Sequence, residues 1–334
     1  MSLNRRSALV GTSLLALVVT GCSQGDDATD QDAAGGEGCD YPTRGITLIV
    51  PYSPGGSTDP MARTFAQLLE DELDVAVSVE NRPGGSGMIG TGDVVTAEPD
   101  GYTIGLTTNA NVIPGPLTNP NLPWDDAEDY TILTHTGDNV PNLAVRSDSP
   151  WETMEELLDA AREDPGEIRV STSGEQGTAH LSVEILNEAA DVELSPVAFS
   201  GGAGEAVTAL LGGDVEANSS YPASLRGQVE AGDLRVLGTF GEQTFDFFPG
   251  SVALAEQFPD VDFLSSTYFM MAPAGLPDCV RDVLLDASSE VVHTDEYLEF
   301  AETNGYQLDP DDVGPDYVTG VLEREQDIWA EVLE

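Results

Sequence analysis

The chain has 334 residues, 60 of them Asp or Glu against 12 basic, for a net charge of −48 at pH 7. Every basic residue is Arg, so chemistry that needs a P-loop or Schiff-base lysine is excluded. Such a surface repels nucleic acid and anionic lipid, and its self-repulsion at ordinary salt predicts a salt-adapted, halophilic protein of an acidic proteome; the alternative is an acidic exported protein from a non-halophile.

At the amino terminus, Arg5 and Arg6 precede an apolar run from Ala8 to Val19 that is too short to span a membrane and suits a signal h-region. Residues 1–21 are therefore expected to be a signal peptide. The segment Val19, Thr20, Gly21, Cys22 resembles a lipobox, which implies lipidation of Cys22 and anchoring at the outer face of the cytoplasmic membrane. The paired arginines of NRRSALV resemble, loosely, a twin-arginine export signal; an ordinary signal peptide with an incidental cysteine is the alternative. Residues 22–40 hold no large apolar group and predict a disordered acidic tether, so the fold should begin near Tyr41. With Cys22 assigned to lipid, Cys39 and Cys279 are left either as a disulfide or as two unpaired thiols.

Strands are expected at 46–51, 75–80 and 103–107, with helices at 59–72 and 88–97. A second series follows: helix 151–163, strand 168–172, helix 178–189, strand 194–199, helix 203–211, strand 215–219, helix 222–231 and strand 234–239. This alternation predicts an α/β protein with parallel sheets flanked by helices, and its length predicts two lobes. The segments 142–147 and 267–275 are expected to be extended crossovers forming a hinge, with helices from Pro277 to Glu334 returning to the first lobe. The expected lobes are 41–145 plus 268–334 and 146–267.

Between the first strand and first helix lies the Pro/Gly loop of ITLIVPYSPGGSTD, 46–59. A helix start leaves about four backbone N–H groups unpaired and carries roughly half a positive charge, so strand, glycine loop and helix make an anion site without Lys or Arg. Glycine-rich starts recur at Gly84–Gly87, at Gly174–Thr178 and at Gly201–Gly204.

In order and spacing, Tyr41–Asp59, VENRPGGSGMIGT (79–91), PDGYTIGLTT (99–108), SGEQGTAHL (173–181), AFSGGAGEAVTALLGGDVEA (198–217), AGDLRVLGT (231–239) and MAPAGLP (271–277) resemble the solute-binding receptors of tripartite tricarboxylate transporters, the Bug family. The resemblance covers residues 41–334 and implies a two-lobed periplasmic-binding-protein-like fold, type II-like, with a two-crossover hinge. It also implies capture of a mono-, di- or tricarboxylate or an amino acid by a monomer, without cofactor or metal, and delivery to large and small multi-pass membrane subunits. One departure is AFSGG, with Phe199 and Ser200 where the family often has Tyr and Lys.

The ligand-binding residues expected from loops and resemblance together are Tyr52, Gly55, Gly56, Ser57, Thr58 and Asp59 on the first loop, Gly85 and Ser86 on the second, and Thr107, Thr108 and Asn109 at a strand end. From the second lobe come Ser173, Gly177, Thr178, His180, Ser200, Gly201, Asn218 and Tyr221. Bland readings stand beside several of these: Asp59 as a helix cap, Thr107–Asn109 as turn caps, and His180 as a hydrogen-bonded structural residue. Arg82 is expected to pair with Glu80 or another local acid rather than a ligand. Catalysis finds little support, since the three histidines 135, 180 and 293 lie far apart, no Cys/His cluster has metal-ligand spacing, and DPDDVG (309–314) is a poor calcium loop. A sensor of the same fold without a permease, and a hydrolase using Ser173 with His180, are the alternatives.

Overall fold

A computed structural model describes residues 39–54, 58–174, 177–199 and 202–333. The expectations for Cys22 and the leader, and for Gly55, Gly56, Ser57, Ser200 and Gly201, lie outside the described residues.

The chain forms two sheets. The first holds β1 (Ile46–Val50), β2 (Val77–Asn81), β3 (Thr103–Thr108), β4 (Tyr130–Asn139) and β11 (Ser266–Pro273) in the order β2-β1-β3-β11-β4. The second holds β5 (Asn142–Arg146), β6 (Arg169–Thr172), β7 (Ser195–Ala198), β8 (Ala217–Ser220), β9 (Leu234–Thr239) and β10 (Val252–Ala253) in the order β10-β9-β5-β8-β6-β7. These are the two α/β lobes that the alternation of elements predicts.

The sheets are mixed rather than parallel. β11 is antiparallel to β3 and β4, and β5 is antiparallel to β8 and β9. Each of these strands is entered from the other lobe, so it runs away from the space between the lobes while its neighbours run toward it. The segments 142–147 and 267–275 are thus not free crossovers, because β5 and β11 sit inside the sheets and the chain crosses just before each. β5 already belongs to the second sheet, so the expected boundary at 145/146 falls within a strand of that sheet. The same topology aims the carboxyl ends of β1, β3, β6 and β8 at the interlobe space, where ligands of open α/β sheets sit.

Helices cover the sheet faces. Around the first sheet lie α1 (Thr58–Leu73), α2 (Met88–Val95), α3 (Asn109–Val112), α4 (Pro114–Thr118), α10 (Asp278–His293), α11 (Asp295–Asn304) and α12 (Pro315–Leu333). The second series supplies α5 (Met154–Glu163), α6 (Thr178–Ala190), α7 (Ala203–Gly212), α8 (Pro222–Glu230) and the short α9 (Leu254–Gln257). Strand alternation divides the core: Leu48 and Val50 pack with Phe65 of α1 and Leu284 of α10, while Ile49 on the opposite face joins Phe269 and Trp329. Before β1, Cys39 is disulfide-bonded to Cys279 in the first turn of α10, with Cα atoms 5.8 Å apart.

Candidate functional site

After Val50 the chain turns through Tyr52 toward α1. The Asp59 carboxylate at the start of α1 is engaged by its own scaffold: Arg63, one turn on, donates to both oxygens at 3.0 Å, and Asn81 Nδ2 adds a third bond at 3.0 Å. Asn81 also donates to the Tyr52 carbonyl at 3.0 Å, so one amide clamps both ends of the glycine loop. Asp59 is thus tied to Arg63 and Asn81 of its own lobe.

The second loop runs through four consecutive left-handed residues, Gly84 (φ 139°), Gly85 (55°), Ser86 (54°) and Gly87 (97°). Such a turn points successive N–H groups to one side, and Ser86 holds a backbone conformation that non-glycine residues rarely adopt. A Cβ on Gly87 would lie 2.6 Å from Asn111 Nδ2. That close approach matters, because Asn111 Oδ1 accepts from the Tyr52 hydroxyl at 3.0 Å and so orients the phenol toward Thr108 Oγ1 at 3.4 Å.

The strand-end trio divides. Thr107 is buried against Thr91 (3.0 Å) and Asn111 (3.3 Å), and so supports the site from behind. Asn109 spends its whole hydrogen-bonding capacity on structure: Nδ2 donates to the Ser265 carbonyl (2.8 Å) and to Glu325 (2.6 Å), while Oδ1 accepts from the amides of Thr267 (3.1 Å) and Ala110 (2.9 Å). No donor or acceptor remains for a ligand, and Asn109 instead ties β3 to the chain crossing and to α12. Only Thr108 faces Tyr52.

From the second lobe, Tyr221 places its hydroxyl 3.0 Å from Ser266 Oγ of the first sheet. Burial, together with the nearby Tyr268 and Tyr52 phenols, pushes its pKa up to about 12, against smaller opposing contributions from hydrogen bonds to Ser266 and Thr178. Tyr52, Thr108, Thr178, Tyr221, Ser266 and Tyr268 thus meet where the lobes meet. Other expected residues point elsewhere. Asn218 is fully buried and donates to the Ser171 carbonyl and hydroxyl at 3.1 and 2.9 Å, behind the sheet toward α7. His180 bonds Thr172 Oγ1 through Nδ1 at 2.9 Å and faces Glu184 at 3.6 Å, the structural role of its bland reading. Arg82 pairs with Glu80 (3.1 Å) and Asp93 (2.9 Å).

The electrostatics come from backbone. Helices α2, α6 and α8 begin at Gly87, Gly177 and Tyr221 with no side-chain cap and no acid in the first turn. By contrast α5 and α11 are capped by Thr153 and Thr294 and carry two acids each in their first turns. In a chain with 60 acidic residues these three starts, like those of the short α3 and α4, are uncapped and acid-free, which keeps their partial positive charge available to an anion. Among the described residues no group of three or more His, Cys, Asp or Glu is placed to hold a metal.

The family model described as "Tripartite tricarboxylate transporter family receptor" matches residues 61–313. The chain belongs to that receptor family. This receptor is 30% identical over 296 residues to Protein BugT of Bordetella pertussis, covering 88% of this chain and 89% of that protein. It is similar to a crystal structure of a TctC solute binding protein from Polaromonas without ligand, at 28% identity and a TM-score of 0.74, covering 88% and 99% of the two chains. It is also similar to Rpa4515 of R. palustris with adipate, at 26% identity, a TM-score of 0.69, and 88% and 97% coverage. The family and the two-lobed fold expected from the sequence are those found. Sequence reasoning missed Asn81 and Asn111, which shape the receptor's first loop, and Ser266 and Tyr268, which complete the hydroxyl cluster. Asn81 stands inside the quoted ENRPGG motif, so its signal was present; Ser266 and Tyr268 became visible only once β11 was placed beside β3.

Proposed function

We propose that the receptor is an exported lipoprotein, tethered through Cys22, that captures a small carboxylate between its lobes and passes it to large and small membrane subunits of a secondary transporter. The observation that carries this is the set of uncapped, acid-free helix starts of α2, α6 and α8 around the hydroxyls of Tyr52, Thr108, Thr178 and Tyr221. A carboxylate takes backbone N–H and hydroxyl donors readily, and no basic side chain is required. The adipate bound by the relative at 26% identity supports the same ligand class. In this reading the receptor acts as a monomer, and closure on the ligand is what the membrane subunits recognise. The hydrolase alternative is not favoured: it would need His180 as the base of Ser173, and that ring is hydrogen-bonded to Thr172 through Nδ1 and faces Glu184 at 3.6 Å.

The test is a thermal-shift screen of the mature chain in molar salt against carboxylates, amino acids and sugars. A ligand at a hundred times its Kd adds about 2.7 kcal/mol of stability. A response confined to carboxylates, weakened about ten-fold in Kd by Tyr221→Phe with little loss of stability, is the expected outcome. A response to sugars alone, or a Tyr221→Phe variant that binds as tightly as the parent, refutes the reading.

A further inference from the structure

The phenols where the lobes meet are not equally committed. Tyr52 donates its proton to Asn111 Oδ1 at 3.0 Å, and the hydroxyls of Tyr221 and Ser266 share a hydrogen bond at 3.0 Å. Tyr268 stands between these two pairs. It is the cross-strand partner of Thr108, whose Oγ1 is 3.4 Å from the Tyr52 hydroxyl, and it lies two residues after Ser266 on the same face of β11. Its phenol acts electrostatically on those of both Tyr52 and Tyr221, so the three hydroxyls share one neighbourhood.

Tyr268 is only 7% exposed, and its ring is set edge-on against Tyr306 with centroids 5.9 Å apart. Gly137, its partner on β4, makes room for that packing, since a Cβ there would lie 3.1 Å from Tyr306 Cβ. The ring is therefore held in place, yet no hydrogen bond reaches its hydroxyl from the described residues. A buried phenol ordinarily finds an acceptor, and this one has a proton to donate and nothing in the scaffold to take it.

A ligand in the cleft can bring the missing acceptor. If backbone N–H groups at the starts of α2, α6 and α8 meet the carboxylate, as proposed above, the Tyr268 hydroxyl is a donor additional to theirs and is left for another ligand oxygen. We propose that Tyr268 is a specificity-determining residue of the cleft, donating to a second oxygen of the ligand, so that the receptor favours a carboxylate carrying a further hydroxyl, carbonyl or carboxyl oxygen over its plain alkyl counterpart. An apolar group set against this phenol leaves its donor unmet, which is how a buried polar group rejects an analogue that lacks its partner.

The inference rests on carboxylate capture, and the experiment separates the two. Calorimetry of the mature chain in molar KCl compares butyrate with succinate and 4-hydroxybutyrate, and hexanoate with adipate and 6-hydroxyhexanoate. In at least one series an oxygen-bearing acid should bind about ten-fold or more tighter than the plain one. Tyr268→Phe keeps the ring and removes the donor, so it should bring that ratio to within about two-fold while the melting temperature without ligand holds or rises. A parent that binds the plain acids as tightly, or a ratio that Tyr268→Phe leaves unchanged, overturns the assignment of Tyr268 and leaves carboxylate capture standing. A marked fall in the melting temperature of unliganded Tyr268→Phe also overturns it, because the hydroxyl would then have a partner within the chain. A parent silent toward every carboxylate refutes capture itself, and the role of Tyr268 with it.

Discussion

Asn109 and Glu325 show how far a side chain's role can lie from its sequence surroundings. Asn109 follows a strand and a pair of threonines, the place for a ligand contact, yet its amide is consumed by Ser265, Thr267 and Glu325. Asn109→Ala takes a side-chain partner from three backbone groups and from the buried Glu325 carboxyl, so chemical denaturation should show a loss of about 3 kcal/mol. Glu325 is buried beside Asn109 and Trp329, and burial pushes its pKa up to about 7, only partly offset by hydrogen bonds from those two residues. A raised carboxyl pKa means that the folded state binds the proton more tightly than the unfolded chain. Between the unfolded value near 4.5 and about 7, stability attributable to this group falls as pH rises, and above 7 the full cost is present. Glu325→Gln should therefore raise the unfolding free energy by about 2 kcal/mol at pH 8 and leave it little changed at pH 4.5. Equal effects of the substitution at both pH values would contradict a buried, proton-linked Glu325.

At the scale of elements, local signals carried most of the secondary structure. Thr153 with Glu156 makes the capping box that starts α5, and Gly213 in the left-handed region ends α7, both recognisable from residue type. β4 escaped notice because its sequence, YTILTHTGDN, mixes buried polar and apolar residues without clean alternation: Thr134, His135 and Thr136 are all buried. Periodicity finds a strand with one wet face, and β4 is covered on both sides. The disulfide acts between elements, joining residues 240 positions apart and pinning the chain before β1 to α10. Closing so long a loop restricts the unfolded ensemble, so Cys39→Ser/Cys279→Ser should lose about 4 kcal/mol in denaturant titrations at molar salt. A midpoint identical to that of the parent would assign the bond no role in stability.

For the whole molecule, net charge sets the conditions under which the fold persists. Eight arginines among the described residues form ion pairs with acids, as Arg169 does with Glu216 at 2.9 Å, but acids outnumber basic residues five to one and most remain uncompensated. Screening shortens the reach of that repulsion from about 10 Å at 0.1 M salt to about 3 Å at 1 M. The melting temperature should climb steadily with KCl over that range, and a flat or falling curve would refute salt adaptation.

The sequence by itself determined the family and the two-lobed α/β class, because these rest on local matters: hydrophobic period and motif order along the chain. Only the tertiary structure decided which polar side chains are spent on the scaffold and which remain free. Asp59, Thr107, Asn109, His180 and Asn218 have the same residue types as ligand contacts, and most of their partners lie on other elements, with Arg63 for Asp59, Ala110 for Asn109 and Glu184 for His180 the local ones. Hydrogen-bonding capacity is finite, and how it is spent depends on neighbours brought together by folding, which no window along the chain contains.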